Sequence, residues 1–292
     1  MNTAIEKPRA GRREWIGLAV IALPCLLYAM DLTVLNLALP RISEDLRPSS
    51  AELLWIVDIY GFFVAGLLIT MGGLGDRIGR RRLLLLGAAG FGVASVLAAF
   101  SRTTWMLIGA RALLGVAGAT LAPSTLSLIR TMFLDARQRA VAIGVWFSSY
   151  SVGSAVGPVL GGLMLQRFWW GSVFLLSVPV MALLLAVGPR LLPEYRDPAP
   201  RPSDVPSALL SLTAVLAVIY GVKLVAQDGV SWTAVLSIVA GLALARAFAR
   251  RQGRLADPLI DLRLFRVRAF SVSLATYLLG TLGAFGSYVL LG

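Results

Sequence analysis

ELLWIVDIYGFFVAGLLITMGGLGDRIGRRRLLLLGAAGFGVASVLAAF, residues 52–100, contains two long apolar runs, 52–72 and 83–100, flanking a short connector rich in glycine and arginine. A bilayer core of about 30 Å is crossed by roughly 20 apolar residues in a helix. Each run is therefore one membrane span, and the pair is a helical hairpin. Extending the count outward gives nine such stretches, at about 17–39, 52–72, 83–100, 104–127, 140–163, 171–191, 206–225, 231–249 and 269–291. With 58% hydrophobic and 14% charged residues and a mean hydropathy of +0.80, the chain is too apolar for a water-soluble fold of its size. The runs are too long for barrel strands and lack their alternation, so helices are the form that satisfies the backbone in lipid. The fold class is an all-α polytopic membrane protein, with the lipid bilayer as its principal partner.

The net charge of +12 raises nucleic acid as a partner, and the placement of the charges argues against it. With the N-terminus in the cytoplasm, 21 of the 27 Lys and Arg fall in cytoplasmic segments and four in outer loops. This is the positive-inside rule repeated along the chain, and there is no aromatic-basic groove motif for nucleic acid. The expected location is the cytoplasmic membrane, with multiple passes. Cys25 is the only cysteine, which excludes an intrachain disulfide, and histidine is absent. No metal site or cofactor is implied, and any proton traffic must use carboxylates.

Few charges stand inside spans, where each costs at least about 2.5 to 3.5 kcal/mol at a helix centre and usually faces a cavity or a partner. Asp31 lies nine residues before Pro40, Asp58 seven after Ala51 and Arg111 eight after Thr103. At about 1.5 Å per residue this places all three roughly 10 to 14 Å below the outer surface. One polar chamber shared by spans 1, 2 and 4 is the expectation. Burial and a neighbouring guanidinium push a carboxylate's proton affinity in opposite directions, which suits a site that loads and releases a proton. The alternative is that Asp31 or Asp58 pairs with Arg111 only to hold the spans together. Lys223, near the outer end of span 7, is given no role. Trp55, Tyr60, Trp146 and Tyr150 are candidate walls of a substrate cavity, because aromatic faces attract desolvated organic cations, and Asn36 is counted with them in that cavity. Lipid-facing packing is the alternative for each. Trp169 and Trp170 read as an interfacial belt.

Four motifs add detail. The connector Gly72-Gly73-Leu74-Gly75-Asp76-Arg77-Ile78-Gly79-Arg80-Arg81-Arg82 is expected to turn tightly on its glycines, with Asp76 capping span 3 and pairing with Arg80 or Arg81. It resembles the signature of that loop in the major facilitator superfamily. Arg111-Ala112-Leu113-Leu114-Gly115 in span 4 is similar to the family's arginine motif, implicated in proton transfer, although Leu114 stands where glutamine is common. In span 5, Ser149, Gly153, Gly157 and Gly161 recur every four residues and bare one helix face for close approach. With Pro158 and Gly162 they resemble the family's antiporter motif, and plain helix packing is the alternative. Asp31-Leu32-Thr33-Val34-Leu35-Asn36-Leu37-Ala38-Leu39-Pro40 resembles the span-1 motif of the fourteen-helix drug:proton antiporters, the QacA/EmrB type. The segments Phe168–Pro179 and Asp257–Phe265 agree with it.

The resemblance implies two six-helix bundles with an inserted helix pair. On this pattern, residues 1–191 are the first bundle, 192–205 a Pro-rich cytoplasmic linker, 206–250 the inserted hairpin, and 251–292 a basic loop plus the first helix of an incomplete second bundle. The odd number of spans predicts a fragment of a longer chain. The implied activity is proton-driven export of lipophilic, often cationic, drugs by alternating access, with a proton gradient and no cofactor. The rivals are export of one metabolite or antibiotic, and a non-transporting membrane sensor. The lack of histidine and of a paired catalytic constellation argues against an enzyme.

Overall fold

The computed structural model describes residues 8–196, 204–255 and 258–291, without the side chains of 205, 226–228 and 281–291. Residues 197–203 of the expected linker and Asp257 of the basic loop lie outside the described residues. The helices are α1 (Arg12–Leu46), α2 (Ser50–Ile78), α3 (Arg80–Ala99), α4 (Thr104–Gly118), α5 (Leu121–Met132), α6 (Ala136–Arg167), α7 (Ser172–Leu175), α8 (Ser177–Leu191), α9 (Val205–Asp228), α10 (Trp232–Gln252) and α11 (Arg268–Leu291). The described residues contain no strand. The chain divides into two units, Met1–Ser203 and Asp204–Gly292. Eight helical stretches are long and apolar enough to cross a membrane, six in the first unit and two in the second. The ninth expected span coincides with α11.

Local chemistry sets the boundaries. Ser49 and Glu52 form a capping box at the start of α2, and the Asp135 side chain accepts the Gln138 N–H at 2.9 Å at the start of α6. Two expected continuous spans are broken. Pro123 cannot donate to the Ala119 carbonyl, nor Pro179 to that of Leu175, and the helix is interrupted between α4 and α5 and between α7 and α8.

In the first unit, α1 packs along α6, while α4 lies between α2 and α3. In lipid there is no hydrophobic drive between helices, so close approach through small residues carries the packing. A methyl at Gly153 would be driven into the Leu26 carbonyl, one at Gly157 into the Thr33 hydroxyl, and one at Gly161 to 2.8 Å from Val34 Cγ1. Leu86, Val93, Trp105, Phe147 and Val159 point outward, as side chains facing lipid tails do.

The second unit pairs α9 with α10 through small residues: a methyl at Gly221 would meet the Ala234 carbonyl at 2.8 Å. Asp204 caps α9 and accepts the Arg251 guanidinium at 2.8 Å. The buried Gln252 amide donates to the Ser207 hydroxyl at 2.7 Å and accepts the Leu259 N–H at 2.6 Å, fastening the following loop to the hairpin.

Candidate functional site

Arg111 on α4 has no solvent exposure, so its charge needs partners inside the bundle. Its Nη1 donates to Asp31 Oδ2 on α1, where the carboxylate is 13% exposed. Its Nε donates to the Ile56 carbonyl at 3.1 Å and Nη2 to that of Val57 at 3.4 Å, both on α2. A carbonyl oxygen has two lone pairs, so these bonds coexist with the helix's own. The guanidinium carbon also stands 4.7 Å from the centre of the Tyr60 ring. One buried cation thus joins α1, α2 and α4. Asp58 follows Val57 on that same stretch of α2 and is half-buried. The Asp31 side chain also borders a cavity of about 10 Å³ with Phe174 and Ser177 at the α7–α8 break, which is room for about one water.

From Tyr60 a chain of ring contacts runs across the bundle. Tyr60 and Tyr28 have centroids 5.7 Å apart, Tyr28 and Tyr150 5.8 Å, and Tyr150 and Trp146 5.0 Å. Trp146 donates through Nε1 to the Thr125 hydroxyl at 2.9 Å. Tyr60, an expected cavity wall, is fully buried, and Arg111 already stands over one of its ring faces. Trp55 is half-buried against Phe62, with centroids 6.2 Å apart. Asn36 is exposed on α1, outside the ring chain.

The glycine-arginine connector departs from its expected form. Gly72, Gly73, Asp76 and Arg77 lie within α2, and the turn is made at Gly79, whose φ of +108° suits glycine. Asp76 caps nothing, since α3 starts from Gly79 without a side-chain cap, but it pairs with Arg80 at 2.5 Å, as expected. Arg81 reaches the other way, to the Pro189 and Leu192 carbonyls at 3.0 Å each and to Glu194 at 3.4 Å. With the Arg80 N–H donating to the Tyr195 carbonyl at 2.9 Å, the segment after α8 is laid on the α2–α3 turn.

The expected antiporter motif splits between two faces of α6. Gly153, Gly157 and Gly161 form the seam with α1, whereas Pro158 is exposed and Gly162 faces open space. Trp170 is buried and donates to Asp45 at 2.7 Å, so it ties the end of α1 to the α6–α7 loop rather than sitting in a lipid belt. Tyr28, the centre of the ring chain, escaped the sequence reading. Its signal was its position three residues before Asp31, on the same helical face. Thr125 and Glu194 were also missed, because their partners are distant in sequence.

The family model for the Major Facilitator Superfamily matches residues 21–292. The chain is 51% identical over 290 residues to the multidrug efflux pump LfrA of Mycolicibacterium smegmatis, covering 98% of this chain and 58% of that protein. It is 40% identical to the methyl viologen resistance protein SmvA of Salmonella typhimurium, covering 88% of this chain and 52% of that one. It is 35% identical to the tetracenomycin C resistance and export protein of Streptomyces glaucescens, covering 87% and 47%. The chain therefore spans about half the length of the curated relatives it matches. Among solved structures, the peptide transporter POT in complex with sulfate superposes with a TM-score of 0.59 at 18% identity, covering 80% of this chain and 51% of that one. This likeness shows the fold.

Proposed function

The chain belongs to the Major Facilitator Superfamily, and we propose that it serves proton-coupled export of lipophilic, often cationic, drugs across the cytoplasmic membrane, with its N-terminus inside. The proposed subfamily is that of the fourteen-helix drug:proton antiporters. The observation that carries the reading is the Asp31–Arg111 pair. Ionised Asp31 ties α1 to α4. A proton arriving at Asp31 removes that charge-assisted bond, while Arg111 keeps its two α2 carbonyls and Tyr60. Protonation therefore loosens one helix against two others, a local charge change able to bias a bistable bundle. The small cavity beside Asp31 supplies a place for the water that brings the proton.

The other parts take roles consistent with this. Tyr150 and Trp55, both half-buried, are the ring faces offered to a cation, with Asp58 as a polar contact, whereas Trp146 is buried between Phe147 and Tyr150 and Asn36 stands apart from the ring chain. The tight α1–α6 seam makes those two helices one rigid body for rocking motion. The Arg80–Asp76 and Arg81–Glu194 pairs act as a latch at the α2–α3 turn. The multidrug and methyl viologen relatives favour broad export of cations, since methyl viologen is an organic dication. The relatives named for single antibiotics keep export of one compound as the second reading.

The test is ethidium efflux from a host stripped of its own pumps, with the protein expressed at the length of its relatives. Efflux that collapses with an uncoupler and in Asp31→Asn, at unchanged membrane expression, is expected. Uncoupler-sensitive efflux that survives in Asp31→Asn removes Asp31 from the coupling role. No efflux from either moves the single-compound reading ahead.

A further inference from the structure

At the arginine-rich end of the first unit, a groove of about 350 Å³ opens between the segment entering α1, the end of α5 and the end of α8. That volume falls within the roughly 300–1,000 Å³ range of ligand sites. The groove is built rather than incidental. The Ala10 N–H donates to Gln138 Oε1 on α6 at 2.7 Å, holding the segment before α1 in place from a distant part of the chain. The Arg13 guanidinium donates to the Arg190 carbonyl at 2.6 Å, spanning the gap to α8. Beneath them Met132 is buried, and Trp15 meets Phe133 edge to face at 5.0 Å.

The lining has two chemistries. Leu134, Leu191 and Met132 are apolar, while Arg9 and Arg13 are exposed cations at the rim, with the Thr131 hydroxyl between. Among the described residues Glu14 is the one carboxylate in the lining, and it is engaged by the Gly11 N–H at 2.7 Å as part of the cap of α1. A guanidinium has five N–H donors, so Arg13 keeps donors to spare after its bond to Arg190. Two cations above an apolar floor, at the level where three spanning helices end, match an amphiphile whose anionic group sits in the interface.

We propose that this groove binds the headgroup region of one anionic phospholipid of the cytoplasmic leaflet, its phosphate on Arg9 and Arg13 and the start of its acyl chains against Leu134 and Leu191. The choice of leaflet rests on the orientation proposed above, whereas binding itself is measured without transport. Native mass spectrometry of the full-length protein, purified with phosphatidylglycerol or with phosphatidylcholine, is the experiment. One phosphatidylglycerol is expected to stay bound where phosphatidylcholine does not. Its affinity is expected to fall roughly thirtyfold in Arg9→Gln/Arg13→Gln and to stay near wild type in Arg9→Lys, which keeps the charge. Equal retention of the two lipids, or full retention by the double variant, overturns the proposal. Displacement by millimolar inorganic phosphate overturns the lipid as the source and leaves a free-anion site. Arg9→Gln alone, at an exposed residue with no role in packing, covers the case in which the double variant does not fold.

Discussion

Arg111–Asp31 in the first unit and Arg251–Asp204 in the second join the same two residue types, and their surroundings make them different devices. Arg111 is unexposed, and its guanidinium is used by Asp31, two backbone carbonyls and the Tyr60 ring. Arg251 is 40% exposed and binds Asp204, whose side chain is 11% exposed, and Ser207 at the end of a helical hairpin, where water competes for the guanidinium. Removing one partner of a buried pair strands the other's charge, whereas an exposed pair gives up little. The first pair can therefore report a protonation event to the helices it joins. The second only trims a helix end.

The contrast breaks most visibly through Arg111→Ala. It leaves Asp31 without its cation and is expected to cost about 3–5 kcal/mol, together with loss of coupled efflux. Denaturant or thermal unfolding in detergent measures the first and the dye assay the second. A variant as stable as wild type would make the pair as dispensable as its exposed counterpart. Tyr60→Leu removes the ring beneath the guanidinium and is expected to cost about 0.5–2 kcal/mol in the same unfolding measurement. Tyr60→Phe keeps the ring and deletes a buried hydroxyl that makes no hydrogen bond among the described residues, so it is expected to be neutral or slightly stabilising.

Arg251→Ala is expected to cost less than Arg111→Ala or Tyr60→Leu, at under about 1 kcal/mol and weakened further by salt. Its pH dependence has a definite sign. Burial pushes the Asp204 carboxyl up, but hydrogen bonds from Arg251 and Ser207 outweigh it and hold the group below its ordinary range. A carboxyl lowered in the folded state stabilises the fold above its unfolded value of about 3.9. That contribution is lost as the pH falls through the folded value. Unfolding curves taken from about pH 6 down to pH 3 should show this acid loss in wild type and a flatter profile in Arg251→Ala.

Much of the site was legible from depth. Counting residues from Pro40 and Thr103 put Asp31 and Arg111 at one level, and they meet. Depth along a helix follows from a fixed rise per residue. Rotation about its axis depends on which neighbour it packs against. For that reason Tyr60, expected as a cavity wall, is sealed beneath Arg111, and Tyr28, which depth alone does not single out, links the rings. The glycines of the 72–82 connector read as a turn, yet α2 continues through Gly72, Gly73 and Gly75 because the helix keeps its own hydrogen bonds, and the chain reverses at Gly79.

What the sequence by itself determined is the membrane-spanning helical class, the places along the chain of the eight helical stretches that are long and apolar enough to span, and the shared level of Asp31 and Arg111. These follow from apolar run length and helical rise, which are properties of one segment at a time. Only the tertiary structure decided that Arg111 binds Asp31 and the α2 backbone, that the glycine stripe of α6 closes on α1, and that Arg81 holds the segment after α8. Those contacts join residues tens to more than a hundred positions apart, and in lipid they are selected by close packing and by the need to pair every buried charge, not by local preference.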